Sequence, residues 1–242
     1  VLRHRHAFIA KIYYFSEVIM PNNAVEGSTY ADLRAHFDGM APRYDAGVAK
    51  VHWTGPQQLA RRLDILTMAG VKPLRVLDIG TGSGLLGAEF KKICAKTHVT
   101  GTDIAENMLA VAIQNRHIDR AVQGCGTDLS WAQDGEFDVV TSSGVLDFIP
   151  DTESFSREVL RVLKPGGVFG ITYEPMGTDH VGYKSLRHNP MILTDRFKKA
   201  GALILYRQQI DNIYANFKNG DAPVTNNLLF GMKVQKHDRP FR

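Results

Sequence analysis

The sequence predicts an α/β fold, a doubly wound and mostly parallel sheet of seven strands with one antiparallel strand near the C-terminus. Three observations carry that expectation. Short apolar runs alternate with helical segments, the pattern of strands joined by crossover helices of roughly 10–15 residues. A glycine-rich stretch stands between the first strand and the next helix, where open sheets of this kind bind ligands. The last two strands have little helical sequence between them, so they should pair antiparallel.

The elements follow in order. Residues 1–28 read as a flexible N-terminal extension and 29–242 as a single domain. Thr29 caps a helix over 30–38, with Leu33 and Phe37 on one face. Met40-Ala41-Pro42-Arg43-Tyr44-Asp45 is a stretch that a helix does not pass unbroken. A second helix has Thr54 as cap, Pro56 in its first turn, Leu59, Leu63 and Leu66 on one face and Gly70 as its stop. Strands are expected at Leu74–Ile79, His98–Asp103, Ala121–Gly124, Phe137–Ser142, Val168–Glu174, Leu203–Ile210 and Leu228–Gln235. Helices fall at Leu85–Ala95, Glu106–Asn115, Thr152–Leu163 and Thr194–Ala200.

Composition narrows the function. The chain has 242 residues, 44% hydrophobic and 22% charged, ordinary for one globular domain. No apolar run approaches the roughly 20 residues of a membrane helix. The net charge is +4, but residues 1–20 hold +2 and residues 231–242 hold +3, which leaves the body slightly acidic. A continuous basic face for nucleic acid is therefore not expected. Cys94 and Cys125 give neither a disulfide framework nor a metal spacing and suit a reducing, cytoplasmic setting. The histidines are scattered, and no metal site is expected. The chain opens on Val1, so Met20-Pro21 is a candidate native start; a basic leader over 1–19 would point to an organelle instead.

The chemistry concentrates in Val76-Leu77-Asp78-Ile79-Gly80-Thr81-Gly82-Ser83-Gly84. A buried strand ends in an acid, turns through three alternating glycines and enters a helix. Glycines let the backbone approach a ligand closely, and the helix N-terminus offers free N–H groups. Gly82, Gly84 and Gly87 also spell GxGxxG, which makes a nicotinamide-dependent oxidoreductase a rival reading. Asp78 argues against it, because an acid two residues before Gly80 suits a cationic amino group better than a pyrophosphate. Asp103 ends the next strand, 19 residues past Gly84, where a carboxylate can accept both hydroxyls of a ribose.

These blocks resemble the class I S-adenosylmethionine-dependent methyltransferases over roughly residues 36–236. VLDIGTGSG is similar to their nucleotide loop, VTGTDIAENMLAVA to the ribose strand and its helix, FDVVTSSGVLDFI to the fourth strand, and LRVLKPGGVFGITYE to the helix–turn–strand after it. The opening HFDGMAPRYDAGVAKVHWTGPQQL resembles small-molecule members, including the Williams–Beuren-region branch. The resemblance implies a Rossmann-like fold, S-adenosyl-L-methionine as cofactor and a small-molecule methyl acceptor. It implies that Tyr44 folds over the methionine end, that Asp78, Gly80, Thr81, Gly82 and Gly84 form the loop around it, and that Asp103 binds the ribose. Ile104 and Met108 would stand near the adenine, with Asp128 and Leu129 beside it, although GTDL also reads as a simple turn. Ser143 would offer backbone to the methionine moiety.

No catalytic residue is named. Asp147, Tyr173, Glu174 and His180 are candidate bases near strand ends, but Asp147 also reads as a helix cap and Glu174 as a loop partner. The N-terminal helices and residues 175–193 and 211–227, with Tyr183, His188, Tyr214 and Phe217, would cover the substrate. Ser142-Ser143-Gly144-Val145 stands where base-modifying members carry an NPPY-type loop, which argues against nucleic acid. A non-catalytic cofactor-binding protein of the same fold is the remaining alternative.

Overall fold

A computed structural model of the protein describes residues 29–51, 53–67, 74–174, 188–210 and 226–234. The expected helix stop at Gly70, the candidate base His180, and Tyr183, Tyr214 and Phe217 lie outside the described residues, as do the extension 1–28 and the candidate start at Met20.

Helix α1 spans Tyr30–Met40 and opens with a reciprocal cap: Thr29 Oγ1 accepts the Asp32 N–H while Asp32 accepts the Thr29 N–H. The stretch expected to interrupt the helix does so. Ala41–Arg43 forms a 3-10 turn with Pro42 in its first positions, and α2, Tyr44–Val51, continues from it. Helix α3, Gly55–Thr67, follows Thr54 as expected, with Pro56 in its first turn and Leu59 and Leu63 fully buried.

Strands and helices then alternate: β1 Arg75–Ile79, α4 Leu85–Ile93, β2 His98–Asp103, α5 Glu106–Gln114, β3 Arg120–Gln123, β4 Phe137–Ser142, α6 Thr152–Val162, β5 Leu163–Tyr173, α7 Pro190–Lys199, β6 Ala202–Ile210 and β7 Asn226–Lys233. The sheet order is β3-β2-β1-β4-β5-β7-β6. The pairs from β3 to β5 are parallel, and β7 runs antiparallel to both β5 and β6. The antiparallel strand is thus inserted one place in from the edge. It reaches that place because β6 passes over to the outside and β7 returns between it and β5.

Both faces are covered, which gives the doubly wound arrangement. Along β1, Val76 joins a core with Leu59, Leu63, Leu86, Phe90, Leu109 and Phe230, on the side of α3, α4 and α5. Its neighbours Leu77 and Ile79 join the opposite core, with Phe155, Val159, Phe169, Leu193 and Phe197 from α6, β5 and α7.

Several boundaries correct the sequence reading. Strand β5 starts at Leu163, not Val168, because Lys164-Pro165-Gly166-Gly167 is a bulge within the strand: its partners on β4 jump from Phe137↔Leu163 to Val139↔Val168. Helix α7 starts at Pro190 rather than Thr194, since Asn189 accepts the N–H groups of Met191 and Ile192 and Pro190 fits the first turn. Strand β3 ends at Gln123, one residue earlier than read.

Candidate functional site

Sheet order reverses between β1 and β4, the switch point at which ligands bind in such sheets. A cleft opens there, lined by Tyr44, Trp53, Pro56, Asp78, Gly80, Thr81, Gly82, Ser83, Leu85, Leu86 and Ser143.

The glycine loop is held from β2. The Thr102 carbonyl accepts the N–H groups of Gly80 (2.7 Å) and Thr81 (3.0 Å), and Asp103 Oδ2 accepts the Gly82 N–H (2.8 Å). Gly80 has φ +66°, and a Cβ there would lie 2.2 Å from Val145 Cγ2, so both conformation and packing demand glycine. Gly82 has φ +53°, yet a Cβ there would meet nothing within 4 Å, because this residue faces the open cleft. Gly84, also left-handed at φ +82°, caps α4 and packs against His117.

Asp78 is 2% exposed. Its two oxygens accept the hydroxyls of Thr81 and Thr141, each at 2.8 Å. Burial pushes its carboxyl up to about 7 against the pull of those two hydroxyls, and the neighbouring Asp103 adds to the rise. Asp103 is also raised by burial, although the N–H groups of Ala105 and Gly82 hold its carboxylate. The Tyr44 phenol is raised by burial and then by Asp103 and Asp45, which puts it in the field of both acids. Two further oxygens of the cleft wall, Ser83 Oγ and Ser143 Oγ, are buried with no hydrogen-bond partner among the described residues.

Of the residues read from the sequence, Tyr44, Asp78, Gly80, Thr81, Gly82 and Ser143 meet in this cleft. Asp103 stands behind it, bonded to the loop. Ile104 is half-buried beside it, and Met108 is buried with Ala41 and Ala105 against Phe37 and Tyr44. The structure does not bring Asp128 and Leu129 to the cleft wall. They lie five and six residues beyond the end of β3, where the Ser130 N–H donates to Asp128 Oδ1 of the exposed side chain and Leu129 packs in the core with its N–H on Glu158. The turn that leaves β3 is Gly124-Cys125-Gly126. Trp53 and Pro56 are cleft residues the sequence reading missed. The signal was an aromatic side chain just ahead of the Thr54 cap, where an apolar residue commonly staples a helix start.

Beyond β4, Asp147 does not cap the next helix; Asp151 does, accepting the Ser154 N–H. Asp147 is buried and accepts the Glu174 N–H at 2.9 Å. Burial and then Glu174 push its carboxyl up to about 8. His188 donates Nε2–H to the Leu146 carbonyl, and burial lowers its imidazole. The Tyr173 hydroxyl accepts from Asn227. Among the described residues no group of three or more His, Cys, Asp or Glu could hold a metal ion, and no helix is long and apolar enough to cross a membrane.

Residues 77–171 match a methyltransferase domain model. These residues form a methyltransferase domain similar to those of the class I S-adenosylmethionine-dependent methyltransferases. The domain match runs from within β1 to β5, so it includes the glycine loop and Asp103. The chain is 35% identical over 133 residues to the ubiquinone/menaquinone biosynthesis C-methyltransferase UbiE of Desulfotalea psychrophila, covering 54% of the chain and 53% of the relative. It is 34% identical over 139 residues to a ubiquinone biosynthesis O-methyltransferase of Xanthomonas oryzae, covering 54% and 56%. The chain spans about half the length of these curated relatives. Among solved structures, the magnesium protoporphyrin IX methyltransferase of Synechocystis, with bound S-adenosylhomocysteine, aligns with a TM-score of 0.67 at 16% identity, over 85% of this chain and all of that one (100%). The fold is therefore that of the Rossmann-like methyltransferases, and the cofactor of the family is S-adenosylmethionine.

Proposed function

We propose that this protein transfers the methyl group of S-adenosylmethionine to a small organic molecule. The observation that carries the reading is the switch-point cleft itself: an open Gly82 face, the buried acid Asp78 at its floor, and two unpartnered hydroxyls, Ser83 and Ser143, in its wall. These features fit an amino-acid-bearing cofactor, which brings both hydrogen-bond donors and acceptors to such groups. When bound, S-adenosylmethionine supplies a methyl carbon made electrophilic by its sulfonium.

In this reading Asp78 and Gly80 meet the amino end, with Thr81 fixing the Asp78 carboxylate. Gly82 gives the close backbone approach, while Gly84 shapes the turn into α4. Ser143 offers its backbone and hydroxyl from the β4 side. Asp103 accepts the ribose hydroxyls, and Ile104 borders the adenine while Met108 supports it from the core. Asp128, bonded to the Ser130 N–H, and Leu129, bonded to Glu158, stay outside the cleft wall. Tyr44 covers the methionine end from α2. The residues act by holding the reactants close and aligned and by excluding water, which can supply much of the rate of an in-line displacement. The N-terminal helices, with residues 175–193 and 211–227, form the acceptor's cover within a single domain over 29–242.

The names of the relatives, quinone-biosynthesis methyltransferases among them, support a small acceptor, as does the opening segment's resemblance to the Williams–Beuren-region branch. The absence of a basic surplus in the body of the sequence supports it against nucleic acid. The test is transfer of labelled methyl from S-adenosylmethionine to a panel of phenols, hydroquinones, amines and carboxylic acids, with RNA and DNA alongside. Label in one small-molecule class bears the proposal out. Label only in nucleic acid overturns it.

A further inference from the structure

Helix α5 starts directly after the Asp103-Ile104 corner, and it lacks a cap of its own: Ala105 stands at the N-cap position and makes no side-chain bond. The cap comes from elsewhere. Asp38 Oδ1, on α1, accepts the Asn107 N–H at 2.7 Å, and Asn107 Nδ2 donates back to the Asp38 carbonyl at 3.2 Å. The second N–H of a helix is the one an N-cap side chain ordinarily takes. A carboxylate there also meets the positive end of the helix dipole.

Two more contacts fasten α1 to the same rim of the sheet. The Tyr30 phenol meets the Cys125 thiol and Thr127, just past β3. Phe37 packs edge-on against Phe148, in the turn past β4, with ring centroids 5.7 Å apart. One helix therefore touches the segments that follow β2, β3 and β4. The chain then continues through Ala41, buried with Ala105 and Met108, to Tyr44 in the cleft wall. Asn115, at the far end of α5, donates to Asp45 at a long 3.5 Å.

We propose that Asp38 is a positioning residue: by capping α5 from α1 it fastens segment 30–51 across the carboxyl ends of β2, β3 and β4 and holds Tyr44 over the glycine loop. The adenosine half of the cofactor is then enclosed between α1 and the sheet rim, so release requires the Asp38–Asn107 bond to open. This rests on the cleft being the cofactor site. The residue acts on residence time rather than on the chemical step.

The test uses the full chain and S-adenosylhomocysteine as probe, with dissociation followed by stopped flow and amide hydrogen exchange followed over 30–40 and at Asn107. Asp38→Ala should speed dissociation about five-fold, the factor equivalent to a lost helix cap of ~1 kcal/mol. It should also speed exchange in α1. Asp38→Asn should restore both, because asparagine caps as well as aspartate. In the wild-type chain, the probe should slow exchange in α1 and at Asn107 together, a readout that needs no variant. Unchanged dissociation and exchange in a folded Asp38→Ala protein would overturn the proposal, as would independent protection of α1 and Asn107 in the wild type. If the wild-type chain binds no S-adenosylhomocysteine, the functional reading fails, and exchange in the variants still decides whether the latch exists.

Discussion

Gly80 and Gly82 sit two residues apart in one loop, both with left-handed φ, yet they answer to different constraints. Gly80 is enclosed by Val145, whereas Gly82 borders open space. Alanine at Gly80 must move Val145 and adopt a strained backbone, so Gly80→Ala should lower the unfolding midpoint markedly and weaken ligand binding as a consequence. Gly82→Ala should cost only the backbone strain of roughly 1–2 kcal/mol while abolishing S-adenosylhomocysteine binding. Thermal unfolding and calorimetric titration of the two variants separate these effects. Equal stability losses, or full binding by Gly82→Ala, would count against a cofactor lying on Gly82.

The buried acids make a pH prediction. Asp78 keeps its proton in the folded protein up to about 7, but releases it near 3.8 when unfolded. Between those values the native state binds more protons than the unfolded state, so the ligand-free protein loses stability as pH rises through that window. Asp147, raised to about 8, adds a slope of the same sign up to its own pKa. Asp78→Asn should flatten the dependence of the unfolding midpoint between pH 5 and about 7. A slope identical to that of wild type would show that Asp78 is ionised in the native state. The residues legible in the sequence at this scale were those whose role is local: the loop glycines and the acids that end β1 and β2. Trp53 was less legible because its place depends on the α2–α3 connection packing against Gly144, a contact between residues 91 apart.

At the scale of elements, the segment from β3 to β4 shows where reading by sequence ran out. The family resemblance implies Asp128 beside the adenine, but the described contacts tie this loop to α6. Arg161 donates to the carbonyls of Leu129 and Ala132 and to Glu158 and Asp134, while Glu158 takes the Leu129 N–H. That anchor draws Leu129 into the core. Nothing in GTDL itself announces a partner 32 residues downstream. Arg161→Ala strands two carbonyls and should destabilise the protein by roughly 1–3 kcal/mol, measured by urea unfolding. Glutamine, which can keep one donor bond, should recover part of the loss; no difference between the two variants would mean that the carbonyls find other partners. The bulge at Lys164–Gly167 was misread for a related reason, since a Pro-Gly-Gly sequence has the composition of a turn even where its flanks stay paired.

For the molecule as a whole, hydrophobic patterning and element order were sufficient for the α/β class and the antiparallel pairing, because each follows from connection lengths. The place of β7 inside the sheet was not legible, since sequence order does not fix which of two antiparallel neighbours meets β5. The sheet reversal at β1 and β4 nonetheless puts the glycine loop, Ser143 and the helical segment 30–51 around one cleft. The central claim is that this cleft holds S-adenosylmethionine, and equilibrium titration with S-adenosylhomocysteine against NADH at neutral pH tests it most directly. Saturable one-to-one binding of S-adenosylhomocysteine is expected, lost in Gly82→Ala, with no uptake of NADH. Binding of NADH in its place would contradict it.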